Sequence, residues 1–301
     1  MSPWIAADWG TSRLRLWHLS AEDELIEARS SEDGMGGLAP AGFAPALARL
    51  SAGWEAALVL ACGMVGARQG WVEAPYRPLP CPPLGPGLTS APSGGPSGGP
   101  PVRIIPGLSQ ASPPDVMRGE ETSIAGWLTA NPGWDGVVCL PGSHSKWVEV
   151  SAGEVVSFRT FLTGELFAAL GAHTVLRHSL SPSPGPDGWD QPAFAEALDA
   201  TLSRPEQLAA RLFSIRAEGL LTGLAPGAAR ARLSGLLIGA ELAAARPWWL
   251  GREVAIIGEG PLAGLYAEAL AAQAVPTRLA ESGPMTLAGL VAARRMMEGR
   301  T

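Results

Sequence analysis

The strongest constraint on the fold is an apolar segment near the start of the chain that is interrupted and then resumes, Ile5-Ala6-Ala7-Asp8-Trp9-Gly10-Thr11-Ser12-Arg13-Leu14-Arg15-Leu16-Trp17. Residues 4–8 and 13–19 read as two strands, and the acid, glycine and hydroxyls between them read as a tight polar turn. Residues 24–30 fit a third strand. A chain that opens on a hairpin is not a dinucleotide-binding fold, which opens strand-to-helix.

Three short runs without polar residues follow the same logic. Ala56–Ala61, Val137–Leu140 and Val254–Ile257 read as buried strands, the kind found in a sheet covered on both faces. A short helix is expected to end at Leu47–Leu50, and Val102–Ile105 fits a further strand. Residues 115–129 read as a helix, with Pro114 and Asp115 marking its start. Trp147–Val150 and Val155–Phe158 alternate around Ser151-Ala152-Gly153, which predicts a second hairpin. The second half therefore repeats the opening, strand, polar turn, hairpin, as a duplicated domain would.

After residue 160 the pattern turns helical. Leu166, Phe167 and Leu170, then Leu208, Leu212 and Ile215, then Leu233, Leu237 and Ala240 recur on single faces. Helices are expected over 262–272 and 284–298. Pro78–Pro101, which contains PSGGPSGGPP, reads as a linker or surface loop, because it offers too little apolar surface to repay ordering. Leu180–Asp190 reads as a second loop.

Composition bounds the function. A chain of 301 residues can bury a large core and fits two domains, with 47% hydrophobic and 17% charged residues. A formal charge of -6 argues against a nucleic-acid partner, since phosphate-dominated binding needs a basic face. Cys62, Cys81 and Cys139 lack metal-ligand spacing and read as thiols of a reducing compartment. No apolar run reaches the roughly 18 to 20 residues of a membrane span, and no signal-peptide pattern is seen, so a cytoplasmic protein without a membrane partner is expected. An exposed apolar helix face in the second half would support a homodimer.

Several segments have the residue types that chemistry needs. Asp8-Trp9-Gly10-Thr11-Ser12 offers backbone N–H groups and hydroxyls to phosphate oxygens, with Asp8 as a ligand for hydrated magnesium; the alternative is an ordinary Asx turn. Pro141-Gly142-Ser143-His144-Ser145-Lys146 is a second such turn, in which His144 offers a donor and Lys146 a point charge. The two turns facing each other across a cleft would hold one triphosphate. Gly258-Glu259-Gly260-Pro261 lies at a strand-to-helix junction suited to close backbone approach. Neither the dinucleotide fingerprint nor the Walker A pattern is present.

Asp115, Glu120 and Glu121, in Asp115-Val116-Met117-Arg118-Gly119-Glu120-Glu121-Thr122, are candidates for the carboxylate that orients and deprotonates an attacking hydroxyl. They also suit a helix N-terminus, where acids favour the dipole. Arg68, Glu73 and Tyr76, on the glycine-hinged loop after the Ala56–Ala61 strand, suit a polyol or carboxylate, or else surround a buried Trp71.

Taken together, IAADWGTSRLRLW, ACGMVGARQGWVEAPY, DVMRGEETSIAG, LPGSHSKWVEV, FRTFLTGELFAAL and IIGEGPLAGLY closely resemble the 2-dehydro-3-deoxygalactonokinases, from residue 5 to about 266 and in consistent order. These are sugar-acid kinases of the actin-like, sugar-kinase and Hsp70-type ATPase superfamily. The resemblance implies an α/β, two-lobed, ribonuclease-H-like (actin-like ATPase) fold with a central cleft, and lobes over residues 1–133 and 134–301, the second with extra helices. It implies ATP and Mg2+ as cofactors and transfer of the γ-phosphoryl group to the 6-hydroxyl of 2-dehydro-3-deoxy-D-galactonate, in D-galactonate breakdown.

By the same resemblance, Asp8, Gly10, Thr11 and Ser12 correspond to the first phosphate turn, and Gly142, Ser143 and His144 to the second; Lys146, read above as a point charge, stands beside it. Gly258 and Gly260 lie on the nucleoside side. The second turn lacks the Asp-Gly-Gly of distant superfamily members, which places more of the magnesium on Asp8. Two other functions suit the same chassis. One is an ATP-gated binding protein and the other a phosphoanhydride hydrolase, and sugar-dependent ADP release separates both from a kinase. The gluconate epimer is the alternative substrate.

Overall fold

A computed structural model describes residues 2–92, 99–180 and 188–300. Residues 93–98 of the Pro/Gly-rich segment and 181–187 of the second expected loop lie outside the described residues. The chain divides into two compact units: Met1–Asp135 with Val150–Ser157 and Glu281–Thr301, and Gly136–Glu149 with Phe158–Ala280. Glu281 onward, grouped with the second half in the sequence division, thus belongs to the first unit.

In the first unit the chain runs β1 (Trp4–Trp9), β2 (Leu14–Leu19), β3 (Leu25–Ser31), α1 (Phe43–Leu50), β4 (Val59–Gly63), β5 (Tyr76–Pro78), β6 (Thr89–Ser90), β7 (Val102–Ile104), β8 (Gly107–Gln110), β9 (Asp115–Met117) and α2 (Glu120–Ala130). Its main sheet has the order β3-β2-β1-β4-β7-β6. The β1–β2–β3 meander is antiparallel, while β4 lies parallel to β1 in the register Asp8↔Cys62 and Trp9↔Gly63, and β7 parallel to β4. A small sheet, β5-β8-β9, stands beside it.

The second unit is built on β10 (Gly136–Leu140), β11 (Ser145–Ser151), β12 (Glu154–Phe161), α3 (Thr163–His173), α4 (Gln191–Ser203), α5 (Leu208–Leu221), α6 (Pro226–Ala244), α7 (Arg246–Trp249), β13 (Val254–Gly258), α8 (Gly260–Ala271) and β14 (Thr277–Glu281); α9 (Ser282–Met297) follows and packs in the first unit. Its sheet order is β12-β11-β10-β13-β14, with β10 and β13 parallel. Both sheets thus run third, second, first, fourth, then a later strand. The duplication expected from the two polar turns is present in the topology.

Period-two alternation explains how the first sheet is covered. Ile5, Ala7 and Trp9 point to one face and pack with Phe43, Ala46 and Leu47 of α1. Trp4 and Ala6 point to the other and pack with Leu290 and Ala293 of α9. In the second unit Val137, Cys139, Trp147, Val254 and Ile256 share a core with Phe194, Ile238, Leu242, Tyr266 and Leu270. Among the described residues, no helix is long and apolar enough to cross a membrane.

Three expectations are corrected. The helix expected from residue 115 starts at Glu120, because Asp115–Met117 pair antiparallel with β8 and Gly119, at φ 108°, turns the chain before helix can begin. The strand expected at Ala56 starts at Val59. Part of the expected 78–101 loop is fixed by pairing: Thr89 and Ser90 join the main sheet, and Cys81 exchanges backbone hydrogen bonds with Val155. Of the three thiols, Cys62 and Cys139 are buried, Cys81 is half-buried, and none is in a disulfide.

Candidate active site

In open α/β sheets, ligand groups gather where parallel strands end at their carboxyl termini. In the first unit these ends are occupied by Asp8 and Gly63, on β1 and β4. The Asp8 carboxylate is 17% exposed and is held by Arg15, whose Nη2 and Nε donate to Oδ2 at 2.6 and 3.1 Å. The opposite charge keeps it in place without removing it from solvent. Beside it, Gly63 has φ 88°, and a Cβ there would meet the Trp9 carbonyl oxygen at 2.7 Å and Asp8 Oδ1 at 3.5 Å. Only glycine lets the two strand ends come this close.

The Gly10–Ser12 turn is tight. Gly10 N donates to the Arg13 carbonyl at 2.9 Å, and Met35 N and Gly36 N donate to the carbonyls of Gly10 and Thr11 at 3.0 and 2.8 Å. The carbonyls of Gly10 and Thr11 are thus taken up by the following loop, while Thr11 and Ser12 are exposed.

The segment before α2 closes on the same strand ends, since a Cβ at Gly119 would meet Gly63 Cα at 3.2 Å. The three candidate acids fare differently. Asp115 is held on the small sheet opposite Gln110 and accepts from Val116 N at 2.8 Å. Glu120 is half-buried and accepts from Arg118 N at 3.0 Å. Glu121 is fully buried; its two oxygens accept from Gly119 N at 2.9 and 2.7 Å, and one accepts from the Thr122 hydroxyl at 3.1 Å. Burial, reinforced by the Glu120 charge, pushes its carboxyl up to about 8 despite these donors. The Cys62 thiol, between Asp8 and Glu121, is raised by burial and then by both charges.

Of the loop residues, Arg68 and Glu73 are exposed and face each other at 3.6 Å, a solvated pair of little energetic weight. Tyr76 opens β5, with the Arg118 guanidinium 4.2 Å from its ring centroid. Arg118 itself is 8% exposed and donates from Nη2 to the Ala74 carbonyl at 2.7 Å.

In the second unit the parallel strands β10 and β13 end in the same way, and a Cβ at Gly258 would sit 3.5 Å from the Pro141 ring. Ser143 and His144 are exposed, and His144 Nε2 lies 2.5 Å from Glu165 Oε2. Lys146, read from the sequence as a point charge, is 4% exposed and directs Nζ to the His144 carbonyl at 3.3 Å. A side chain at Gly164, on the first turn of α3, would overlap Gly142. Gly260, at φ 59°, opens α8, and no side chain caps that helix start, where Pro261 carries no N–H.

Next to this turn is a cavity of about 220 Å3 lined by Gly142, Gly164, Phe167, Trp189, Leu237 and Leu262, among others. Its apolar walls suit a flat aromatic ring. Arg230, also on the lining, lies 4.8 Å from the Phe167 ring and gives it a cationic edge. Its floor rests on a buried carboxylate that the sequence reading missed. Glu241, on α6, accepts from Trp147 Nε1 at 2.8 Å, from the Tyr266 hydroxyl at 2.7 Å and from Thr163. Burial raises its carboxyl and these donors oppose that. The available signal was an acid inside the apolar run of α6, Leu236-Leu237-Ile238-Gly239-Ala240-Glu241-Leu242.

Two strand-order repeats with glycine turns at the carboxyl ends of their parallel strands define the class: a two-lobed α/β protein with mixed sheets, of the actin-like ATPase and sugar-kinase fold. The comparisons with known proteins then narrow it. The profile of the family described as 2-keto-3-deoxy-galactonokinase matches residues 8–293. A probable 2-dehydro-3-deoxygalactonokinase of Rhizobium meliloti (strain 1021) is 38% identical over 301 residues, covering 97% of this chain and 96% of the relative. The 2-dehydro-3-deoxygalactonokinase of Escherichia coli (strain K12) is 37% identical over 251 residues, 81% of each. The crystal structure of a candidate 2-dehydro-3-deoxygalactonokinase from Sinorhizobium meliloti superposes with a TM-score of 0.86 at 37% identity, covering 98% of this chain and 99% of that one. More distantly, component A of the (R)-2-hydroxyglutaryl-CoA dehydratase of Acidaminococcus fermentans shares the fold alone, with a TM-score of 0.54 at 12% identity.

The chain therefore belongs to the 2-keto-3-deoxy-galactonokinase family. It is a kinase of the 2-keto-3-deoxy sugar-acid class.

Proposed function

We propose that the protein transfers the γ-phosphoryl group of ATP to the 6-hydroxyl of 2-dehydro-3-deoxy-D-galactonate. The observation that carries this reading is the meeting of Asp8, Gly63 and the Gly119 turn at the carboxyl ends of β1 and β4, on a chain matched to the family along nearly its whole length. Phosphoryl transfer asks little covalent chemistry of the protein and much positioning, which rigid strand ends and glycine turns supply.

Assigned roles follow from exposure and charge. The 220 Å3 cavity, with Gly258 and Gly260 nearby, takes the nucleoside. Exposed Thr11 and Ser12 in the first unit, and Gly142, Ser143 and the α3 start in the second, offer donors to phosphate oxygens. Asp8 suits magnesium: it is a hard oxygen donor with access to solvent, and this ion needs only one or two carboxylates while keeping its waters. Bound there, magnesium would neutralise charge on the transferred group.

Glu120 is the acid we assign as base. It accepts the proton of the sugar hydroxyl as that oxygen attacks phosphorus, and the bond to the ADP oxygen breaks. Glu121 is sealed from solvent and holds its own proton near neutrality, so it positions the turn instead. Asp115 is committed to the small sheet.

The test is an ATP-coupled assay against a panel of 2-keto-3-deoxy acids, including the gluconate epimer, with and without magnesium. Saturable ADP release that requires the galactonate-derived acid is expected, with Asp8→Ala lowering turnover by about 10²–10³-fold. ADP release independent of any sugar acid, or equal turnover in the Asp8→Ala variant, contradicts the reading.

A further inference from the structure

Arg118 presents a charge problem that the roles above leave unsolved. A guanidinium carries five N–H donors and cannot shed its proton inside a protein. At 8% exposure, Arg118 donates from Nη2 to the Ala74 carbonyl, while its Nε and Nη1 are buried and meet no hydrogen-bond acceptor among the described residues. The remaining neighbours do not repay this. Tyr76 offers its ring face at 4.2 Å, and on the Nη1 side stand Gly66, the Ile104 methyl and the Ala74 methyl; a Cβ at Gly66 would sit 2.9 Å from Nη1 and from that Ile104 carbon. A buried cation with unmade hydrogen bonds and no ion pair from its guanidinium to a described residue is costly, and a ligand anion is one group that would offset that cost.

An arginine that only pins the 66–76 loop to the sheet would explain the Ala74 bond. It would not explain a full charge with two idle donors, because a neutral donor could make that bond at lower cost. The place of Arg118 is also informative. Its own backbone N–H donates to Glu120, the acid assigned as base, and its guanidinium covers Tyr76, a residue of the loop read as sugar-acid binding. A sugar acid differs from an ordinary sugar in its carboxylate, the group whose planar pair of oxygens matches the guanidinium fork.

We propose that Arg118 is the specificity-determining residue that binds the C1 carboxylate of the sugar acid, using Nε and Nη1 once the side chain turns away from Gly66. The inference rests on the sugar-acid kinase reading and names the residue by which that site tells acids from neutral sugars. Tyr76 supports the guanidinium from one face.

The experiment compares the 2-keto-3-deoxy acid with its neutral counterpart, the 3-deoxyketose in which the carboxylate is replaced by a hydroxymethyl group. Binding is read by calorimetry without nucleotide and turnover by ADP release, for wild type, Arg118→Gln, Arg118→Lys and Tyr76→Leu. Arg118→Gln should weaken binding of the acid, and raise its KM, by about 10- to 100-fold while the neutral ketose is bound as by wild type. Arg118→Lys should fall between. Tyr76→Leu, a change at an exposed ring, should raise the KM several-fold more for the acid than for the neutral ketose, which keeps the inference testable if the buried variants melt early.

An equal loss for both ligands in Arg118→Gln, or an unchanged preference for the acid in all variants, overturns the inference. Wild type that binds the acid, loses it in Arg118→Gln and yet phosphorylates no acid in the panel would leave the carboxylate site standing and refute the kinase reading. Wild type that does not distinguish the acid from the ketose refutes the inference directly.

Discussion

Glu121 shows how one buried side chain ties fold to solvent conditions. Its carboxyl accepts three hydrogen bonds, yet burial outweighs them and lifts its pKa from 4.5 to about 8. The folded protein thus binds this proton more tightly than the unfolded chain. The stabilisation that results is complete below about pH 4.5 and is lost as pH rises toward and through about 8. Glu121→Gln, which cannot ionise, should flatten that part of the stability profile in urea melts taken from pH 5 to 9. A variant that keeps the wild-type slope would place the titrating group elsewhere. Asp8 and Gly10 were legible because an acid and a glycine are anomalous between apolar strands. Arg118 and Glu241 were not, because a sequence pattern does not say which charged residues will be enclosed.

At the scale of elements, the α2–α9 pair shows close packing overriding helix propensity. A methyl group on Gly126 would overlap the Met285 carbonyl oxygen, and one on Gly289 would overlap the Thr122 carbonyl. Glycine costs a helix interior about 1 kcal/mol relative to alanine, so an isolated α2 would gain from Gly126→Ala. In the packed pair the added methyl must push two backbones apart, which typically costs about 1–3 kcal/mol and more where backbone rather than side chain must yield. Gly126→Ala should therefore destabilise the protein by about 1 kcal/mol or more, read as a lower denaturation midpoint at unchanged slope. A stabilised variant would mean that the two helices part easily. The sequence placed α2 but started it five residues early, since Asp115–Met117 is strand only because β8 lies alongside. Tertiary partners of that kind leave no periodic trace in three residues.

For the whole molecule, the two units share one strand order, and each ends its parallel strands in glycine turns. If the nucleotide binds at the cavity of the second unit, as proposed, it would favour the folded form by mass action, by about 2.7 kcal/mol at a hundred times its dissociation constant. Saturating magnesium-ADP should accordingly raise the melting temperature by a few °C. Filling the cavity with Ser234→Trp should abolish that shift; a shift that survives it would move the nucleoside elsewhere.

The sequence by itself determined the alternation of buried strands and helices, the repeated strand, turn and hairpin, and the family, because these depend on local periodicity and on residues that cannot be exchanged in a tight turn. The tertiary structure decided which charges are enclosed: Glu121 beside Gly119, Glu241 under the cavity, and Arg118 with donors unused. The reason is that enclosure depends on contacts between segments far apart in the chain, and the cost of burying a charge is fixed only when those segments have met.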